Sequence, residues 1–470
     1  MDYLVRFSQT YETFRLPELQ SLATLEGIDM KVVSYKEDSP FCIIHLPNPS
    51  TEAATRLVKR AILVQTISEL WGHGATTPEL HASVKSTSSH LWSKYRNSSF
   101  KFWLDSYQGC RSNSARLSLI KEFAYLPFEG TVNLKDPEEE FAICEDWALN
   151  AVPDNLPDPK YYYLGRRVAK GARDLPKKLD LKKRRYISTT SMDSELALIS
   201  ANMVMAAPGK MIYDPFVGTG SFPIACSWFG ALTFGSDIDG RSVRGDEKER
   251  TVKGNFEQYG LVQRMGAFFT ADLTNSPIRR SELRPGETGG DGQKGRVFDA
   301  ILCDPPYGVR EGLVVLGVRD PEGKDSWKVR LGKEMHEDPA YIPPKKPYSF
   351  TAMLDDILHF AAQTLVDHGR LSFWMPTAND TDQAIATPTH PYMEIVSVST
   401  QTFSNWSRKL ITYQRRPDIE VDPEALKAKD NSSHETGRTA DDLNPFRRNY
   451  FSRFVPETPG VTPKGIYRTT

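Results

Sequence analysis

The stretch Met211-Ile212-Tyr213-Asp214-Pro215-Phe216-Val217-Gly218-Thr219-Gly220-Ser221-Phe222 decides the fold of this chain. It reads as an apolar strand ending in a carboxylate, a turn of small residues, and the start of a helix. In open α/β sheets, ligands sit beyond the carboxyl ends of the strands at such turns. Gly218 and Gly220 allow the backbone to approach a ligand closely. The carboxylate of Asp214 would repel a pyrophosphate. It suits a cationic amino group, such as the one on the methionine part of S-adenosylmethionine. A dinucleotide fingerprint needs a third glycine where Pro223 stands, and the Gly-Lys-Ser/Thr of a phosphate loop is absent from the turn.

Outward from this turn, strand and helix patterns alternate from about 186 to 416, the signature of a parallel sheet with crossover helices. A helix is expected over 191–207, capped by Ser191 and closed by Pro208-Gly209. Strands are expected at 211–216, 232–238, 268–273, 298–304, 371–375, 395–402 and 410–413. No long helix fits between the last two, so they can pair as an antiparallel hairpin. Seven strands with such a final pair suit the Rossmann-like methyltransferase variant of the doubly wound α/β fold.

The later strand ends carry more acids. After the second strand, Asp237 can accept both ribose hydroxyls, with Asp239 as the alternative. After the third, Asp272 can accept from an adenine amino group while Leu273 packs on the ring; equally, Asp272 is a helix cap or loop acid. After the fourth comes Asp304-Pro305-Pro306-Tyr307-Gly308. Two prolines fix the backbone, so carbonyl oxygens point in set directions. With Asp304 they can accept the hydrogens of an –NH₂ group, and Tyr307 offers a flat face for a base. The lone pair of an exocyclic amine is delocalised into its ring. Holding both N–H groups favours a tetrahedral nitrogen and frees that pair, and Asp304 can take the proton. Such chemistry is placement and electrostatics, with no metal needed. Cys303 lies in the apolar strand and reads as core.

Residues 1–150 mix strand patterns at 3–7, 41–46, 100–104 and 141–143 with helical spacing over 51–71 and 114–126, an α+β region. Residues 151–190 read as a linker, with prolines at 153, 157, 159 and 176 and a run of basic residues including Lys182, Lys183, Arg184 and Arg185. It is either a solvated hinge or a segment that tracks phosphates. The polar, Gly-rich 276–296 reads as a mobile loop, and 417–470 as a poorly ordered tail. Within the tail, the aromatic and arginine cluster 446–451 suits RNA stacking or docking.

The bulk numbers bound these readings. A chain of 470 residues, 39% hydrophobic and 25% charged, suits two or three globular domains. The net charge of −1 gives no whole-chain field for nucleic acid. No apolar run approaches the roughly 20 residues of a membrane span, and the N-terminus lacks a secretory pattern. Five scattered cysteines without a CxxC pair fit a reducing, cytoplasmic setting and no thiolate metal site.

The pair DPFVGTGSF (214–222) and ILCDPPYG (301–308) resembles the amino-methyltransferases of nucleic-acid bases. TTSMDSELALISANM (189–203) resembles the helix before the cofactor turn in RNA-modifying members that carry a THUMP domain. KKRRY (182–186), FSNWSRKLITYQR (403–415) and FEGTVNLKDPEEEFAI (128–143) resemble the eukaryotic tRNA guanosine-10 N2-methyltransferases. The resemblance implies a THUMP-containing N-terminal region that grips tRNA, a methyltransferase domain over 191–416, and N2-methylation of guanosine 10. It also implies a small zinc-binding activator subunit. By motif match it carries Asp304, Pro305 and Tyr307 over as the amine site, and Asp214, Gly218, Gly220 and Asp237 as the cofactor site. Arg310, Arg319, Lys345 and Lys346 then join the basic run as phosphate contacts. Two other readings stand beside this one: a DNA adenine or protein glutamine amide methyltransferase, and a non-catalytic RNA-binding scaffold.

Overall fold

A computed structural model of the chain describes residues 1–245, 250–287, 295–309, 313–317, 344–379, 385–404 and 406–430. The chain divides into two compact units between Lys178 and Leu179. The first is built on strands β1 (Asp2–Phe7), β2 (Lys31–Tyr35), β3 (Phe41–His45), β4 (Val64–Gly74), β5 (Phe100–Tyr107), β6 (Glu139–Asp146) and β7 (Tyr161–Lys170). They form one sheet in the order β2-β3-β1-β4-β7-β6-β5, with β5 and β6 the only parallel neighbours. Helices Glu12–Glu26 and Thr51–Val58 bury Leu19, Leu22, Ala54 and Leu57 against Tyr3, Val5 and Phe7 of β1.

Two expectations fail in this unit for the same reason. The helix expected over 51–71 ends at Val58, and its second half is β4. The β-branched residues Thr66 and Ile67 pair with β1 on one side and β7 on the other, and Val64 pairs with β1. The expected linker 151–190 contains β7, an inner strand of the sheet. Its arginines looked solvated because their acids are far away in sequence. Arg166 binds Glu69 at 2.7 Å and Glu139 at 2.8 Å, and Arg167 pairs with Glu140.

The second unit contains β8 (Met211–Asp214), β9 (Leu232–Asp237), β10 (Met265–Thr270), β11 (Phe298–Cys303), β14 (Leu365–Ala378), β15 (Met393–Thr402) and β16 (Trp406–Arg415). The order is β10-β9-β8-β11-β14-β16-β15. The first five are parallel, and β16 runs antiparallel to both β14 and β15. All seven expected strands and the final hairpin are present. A short ladder, β12 (Val314–Leu316) with β13 (Lys345–Pro347), stands apart. The helix Phe350–Thr364 starts at the Ser349 cap and turns Met353, Leu354, Ile357, Leu358 and Ala361 onto the sheet, at helical spacing.

The helix expected over 191–207 spans Ser194–Met203, and its cap is Asp193, whose Oδ1 accepts from the Glu195 N–H at 2.8 Å. The ends of the expected mobile loop 276–296 are pinned. The Ser281 N–H donates to the Gln363 carbonyl, and the Gly295 N–H donates to Ser281 Oγ. The expected disordered tail begins with structure: Asp418 receives Arg296 at 2.8 Å, Val421 is buried, and Pro423–Asp430 is helical. The cluster at 446–451 lies outside the described residues. Among the described residues, no helix is long and apolar enough to cross a membrane.

Candidate amine-methylation site

β8 delivers Asp214 to the sheet edge, where only 3% of the residue stays exposed. Its Oδ1 accepts from the Phe216 N–H at 3.0 Å and fixes the start of the turn. Burial pushes its pKa well above the usual carboxylate range, and the charges of Asp237 and Asp304 add to the shift. Gly218 and Gly220 sit at φ of 47° and 81°, left-handed positions that favour glycine.

Asp237 ends β9 and fastens the turn. Its Oδ2 accepts from the Gly218 N–H and its Oδ1 from the Asp239 N–H, both at 2.8 Å. Each oxygen keeps acceptor capacity, as two ribose hydroxyls would require. Burial raises the pKa of this group too. Asp239, the alternative, has both oxygens engaged by Arg241, which holds its pKa below the usual range.

Asp272 and Leu273 are occupied otherwise. Asp272 Oδ1 accepts from the Thr274 and Asn275 N–H groups, at 2.7 and 2.8 Å, and from Thr274 Oγ1. Its Oδ2 accepts from the Leu316 N–H of β12 at 2.6 Å. Burial pushes its pKa up, but these donors outweigh burial and leave the group below the usual value. These contacts fit the reading of Asp272 as a loop acid. Leu273 lies in the core with Tyr213, Phe298 and Phe350.

β11 is the hydrogen-bonded neighbour of β8, so the Asp-Pro-Pro-Tyr turn leaves the sheet beside the glycine turn. Asp304 Oδ1 accepts from the Tyr307 hydroxyl at 2.7 Å. Burial pushes the Asp304 pKa up to about 6, against the pull of Tyr307 and Arg408. The phenol of Tyr307 is pushed far up, by burial and by Asp304. Pro305 is buried and Pro306 exposed. The Tyr307 ring meets Trp406 edge-on, with centroids 6.2 Å apart. Cys303 is fully buried, with its pKa raised by that burial, as a core residue should be.

The basic segment 182–186 divides. Lys182, Lys183 and Arg185 are exposed. Arg184 is buried and donates to Ser221 Oγ at 2.8 Å, so it braces the glycine turn and is turned away from solvent. Burial lowers its pKa. Lys345 and Lys346 are exposed on β13, while Arg310 and Arg319 lie outside the described residues.

Three bracing residues escaped the sequence reading. Asn255, fully buried on the helix Val252–Gln258, donates to the Tyr186 and Thr219 carbonyls and accepts from the Tyr186 N–H. Ser191, expected as a helix cap, instead shares a 2.7 Å hydrogen bond with Thr219. Gln258 accepts from the Arg185 N–H and donates to the Lys183 carbonyl. The only local signal was polar residues among apolar helical neighbours.

A sheet of this order, with an acid-and-glycine turn after its first strand and an Asp-Pro-Pro-Tyr turn after its fourth, defines a methyltransferase domain. The family described as Tmrp11 THUMP N-terminal domain matches residues 1–173. The tRNA (guanine(10)-N(2))-methyltransferase of Saccharomyces cerevisiae is 38% identical over 96% of this chain and 99% of its own length. That of Schizosaccharomyces pombe is 36% identical over 88% and 90%. The human tRNA (guanine(10)-N(2))-methyltransferase TRMT11 is 35% identical over 88% of each. The chain belongs to the tRNA (guanine(10)-N(2))-methyltransferase family. Among solved structures, TrmN from Thermus thermophilus aligns over 88% of this chain and all of its own, at 15% identity and a TM-score of 0.40.

Proposed function

We propose that this chain transfers a methyl group from S-adenosylmethionine to N2 of guanosine 10 in tRNA, acting in the cytoplasm as the catalytic subunit beside a small zinc-binding activator. The observation that supports it most is the half-buried Asp304 carboxyl, hydrogen-bonded to Tyr307 and adjacent in the sheet to Asp214 and the glycine turn. The cofactor fits this edge. It would bring a sulfonium and an ammonium to a place where burial and the charges of Asp237 and Asp304 raise the pKa of Asp214.

Bound S-adenosylmethionine would supply an electrophilic methyl group, which passes to the guanine amine as its carbon–sulfur bond breaks and the thioether S-adenosylhomocysteine leaves. Asp214 would meet the cofactor ammonium, and Asp237, which holds the turn, would accept from the ribose hydroxyls. Asp304 and the carbonyls of the Pro305-Pro306 turn hold the guanine N–H groups. Tyr307 covers the ring. With a pKa of about 6, Asp304 is mostly ionised at neutral pH and is matched to receive the proton that N2 loses. The first compact unit, Met1–Lys178, and the exposed Lys182, Lys183 and Arg185 supply the tRNA contacts.

The test is nucleoside mass spectrometry after incubating the full chain with cofactor and separate tRNA, DNA and protein pools. Methyl transfer to N2 of guanosine 10 is the expected result. Transfer only to DNA adenine or protein glutamine, or none with any pool and partner, overturns the reading. A stable, fully active lone chain would overturn the activator requirement alone.

A further inference from the structure

The final hairpin brings a cation and aromatics to the Asp-Pro-Pro-Tyr turn. Cys303 pairs with Phe373, so Asp304, one residue on, falls level with Trp374 of β14. On the next strand, Arg408 stacks its guanidinium over the Trp374 ring, 4.6 Å from the centroid, and lies 5.7 Å from Phe403. Its Nε donates to Gln401 Oε1 at 2.7 Å, across the β15–β16 pair. Phe403 stacks on Trp406 at 4.7 Å, and Trp406 meets Tyr307. The guanidinium is thus held in place by two rings and an amide, and its charge bears on both Asp304 and Tyr307.

We propose that Arg408 is the positioning residue that makes this site select guanine, by keeping the Asp304 side chain a carboxylate. The inference rests on the proposed guanine reaction. The logic lies in the edges of the bases. Guanine presents two adjacent donors, N1–H and the N2 amine, and a carboxylate accepts from both. Adenine, cytosine and 2-aminopurine present an amine beside a ring nitrogen that is an acceptor. A carboxylic acid, one donor and one acceptor, fits that pattern, whereas a carboxylate sets lone pair against lone pair. The charge state of Asp304 therefore decides which amine is welcome. Among the described residues, its charged and titratable neighbours are Tyr307, which donates to it, Arg408 on β16, Asp214 on β8 and the Cys303 thiol before it. Burial favours the acid form, and Arg408 is the cation that opposes it.

The test uses the full chain with S-adenosylmethionine and tRNA carrying either guanosine or 2-aminopurine at position 10. Both bases offer the same 2-amino nucleophile. The acid limb of kcat/KM against pH and the guanosine-to-2-aminopurine ratio are measured for the wild type, Arg408→Met and Arg408→Lys. In Arg408→Met the limb should move up by about one pH unit, and the ratio at neutral pH should shrink about tenfold. Arg408→Lys keeps the charge, so its limb should stay within about half a unit of the wild type. Equal shifts in both variants, or none in either, overturn the proposal. If Arg408→Met does not fold, the lysine variant decides, since a limb displaced by a full unit with the charge kept also overturns it. A wild type that methylates neither tRNA would instead mean that the guanine reaction itself fails.

Discussion

The two seven-stranded sheets bury charge in opposite ways. In the first, charges are buried in pairs: Arg6 with Asp105 at 2.6 Å, Arg111 with Glu145 at 2.5 Å, and Arg166 with both Glu69 and Glu139. At the carboxyl edge of the second, Asp214, Asp237 and Asp304 form no ion pair among the described residues, and all three are pushed upward in pKa by burial. The opposite end of that sheet reverts to pairing, with Arg415 between Asp367 and Asp418. A buried charge with its partner already in the chain is scaffold. Acids of one sign gathered without an ion-pair partner are costly to the empty protein, and a cationic ligand offsets that cost.

The largest expected effect breaks the functional half of this contrast. Asp304→Ala should lower kcat/KM for tRNA by about 10³-fold or more, since it removes both an amine acceptor and the proton acceptor. Binding of tRNA, measured by filter retention, should stay within about twofold. A variant retaining a tenth of the activity would sink the assigned role. On the scaffold side, Arg166→Ala leaves Glu69 and Glu139 buried without their cation and should cost about 3–5 kcal/mol in chemical denaturation. A loss below about 1 kcal/mol would mean that the pairing is ornamental and the contrast false.

Asp214→Asn sharpens the comparison through pH. Burial raises the pKa of the wild-type carboxyl, and only its ionised form attracts a cation. Affinity for S-adenosylmethionine, read by calorimetry, should therefore rise with pH as Asp214 ionises. The asparagine variant should bind about tenfold more weakly at high pH and show a flatter profile. An unchanged slope would move the ammonium contact to another group.

How much of this contrast could be read from the residues follows from the range of the interactions. The second sheet was legible because its signals are local. A strand, a glycine turn and a helix start lie within 211–222, and each later strand end announces itself by an acid or by Pro-Pro. The first sheet was half legible. β7 and the second half of 51–71 were misread because their strand partners, and the acids of Arg166, lie up to about a hundred residues away. The same limit explains Arg184, whose partner Ser221 is 37 residues on. Asp272 was ambiguous because a carboxylate after a strand serves equally as ligand or turn-former. Only its donors, Leu316 among them, tell which.

The smallest effect concerns the basic segment, where the same distinction applies within four consecutive residues. Lys182 and Lys183 are exposed, and Arg184 is buried against Ser221. If the exposed pair meets phosphates, the double change Lys182→Ala with Lys183→Ala should weaken tRNA binding severalfold and flatten the dependence of log affinity on log salt by about 1 to 2. Arg184→Ala should leave that slope alone and instead loosen the cofactor turn, seen as weaker S-adenosylmethionine binding. The charge is the same in all three residues, so only burial separates the outcomes. A salt slope reduced by the arginine change and untouched by the lysine pair would mean that burial does not sort ligand contacts from braces in this segment.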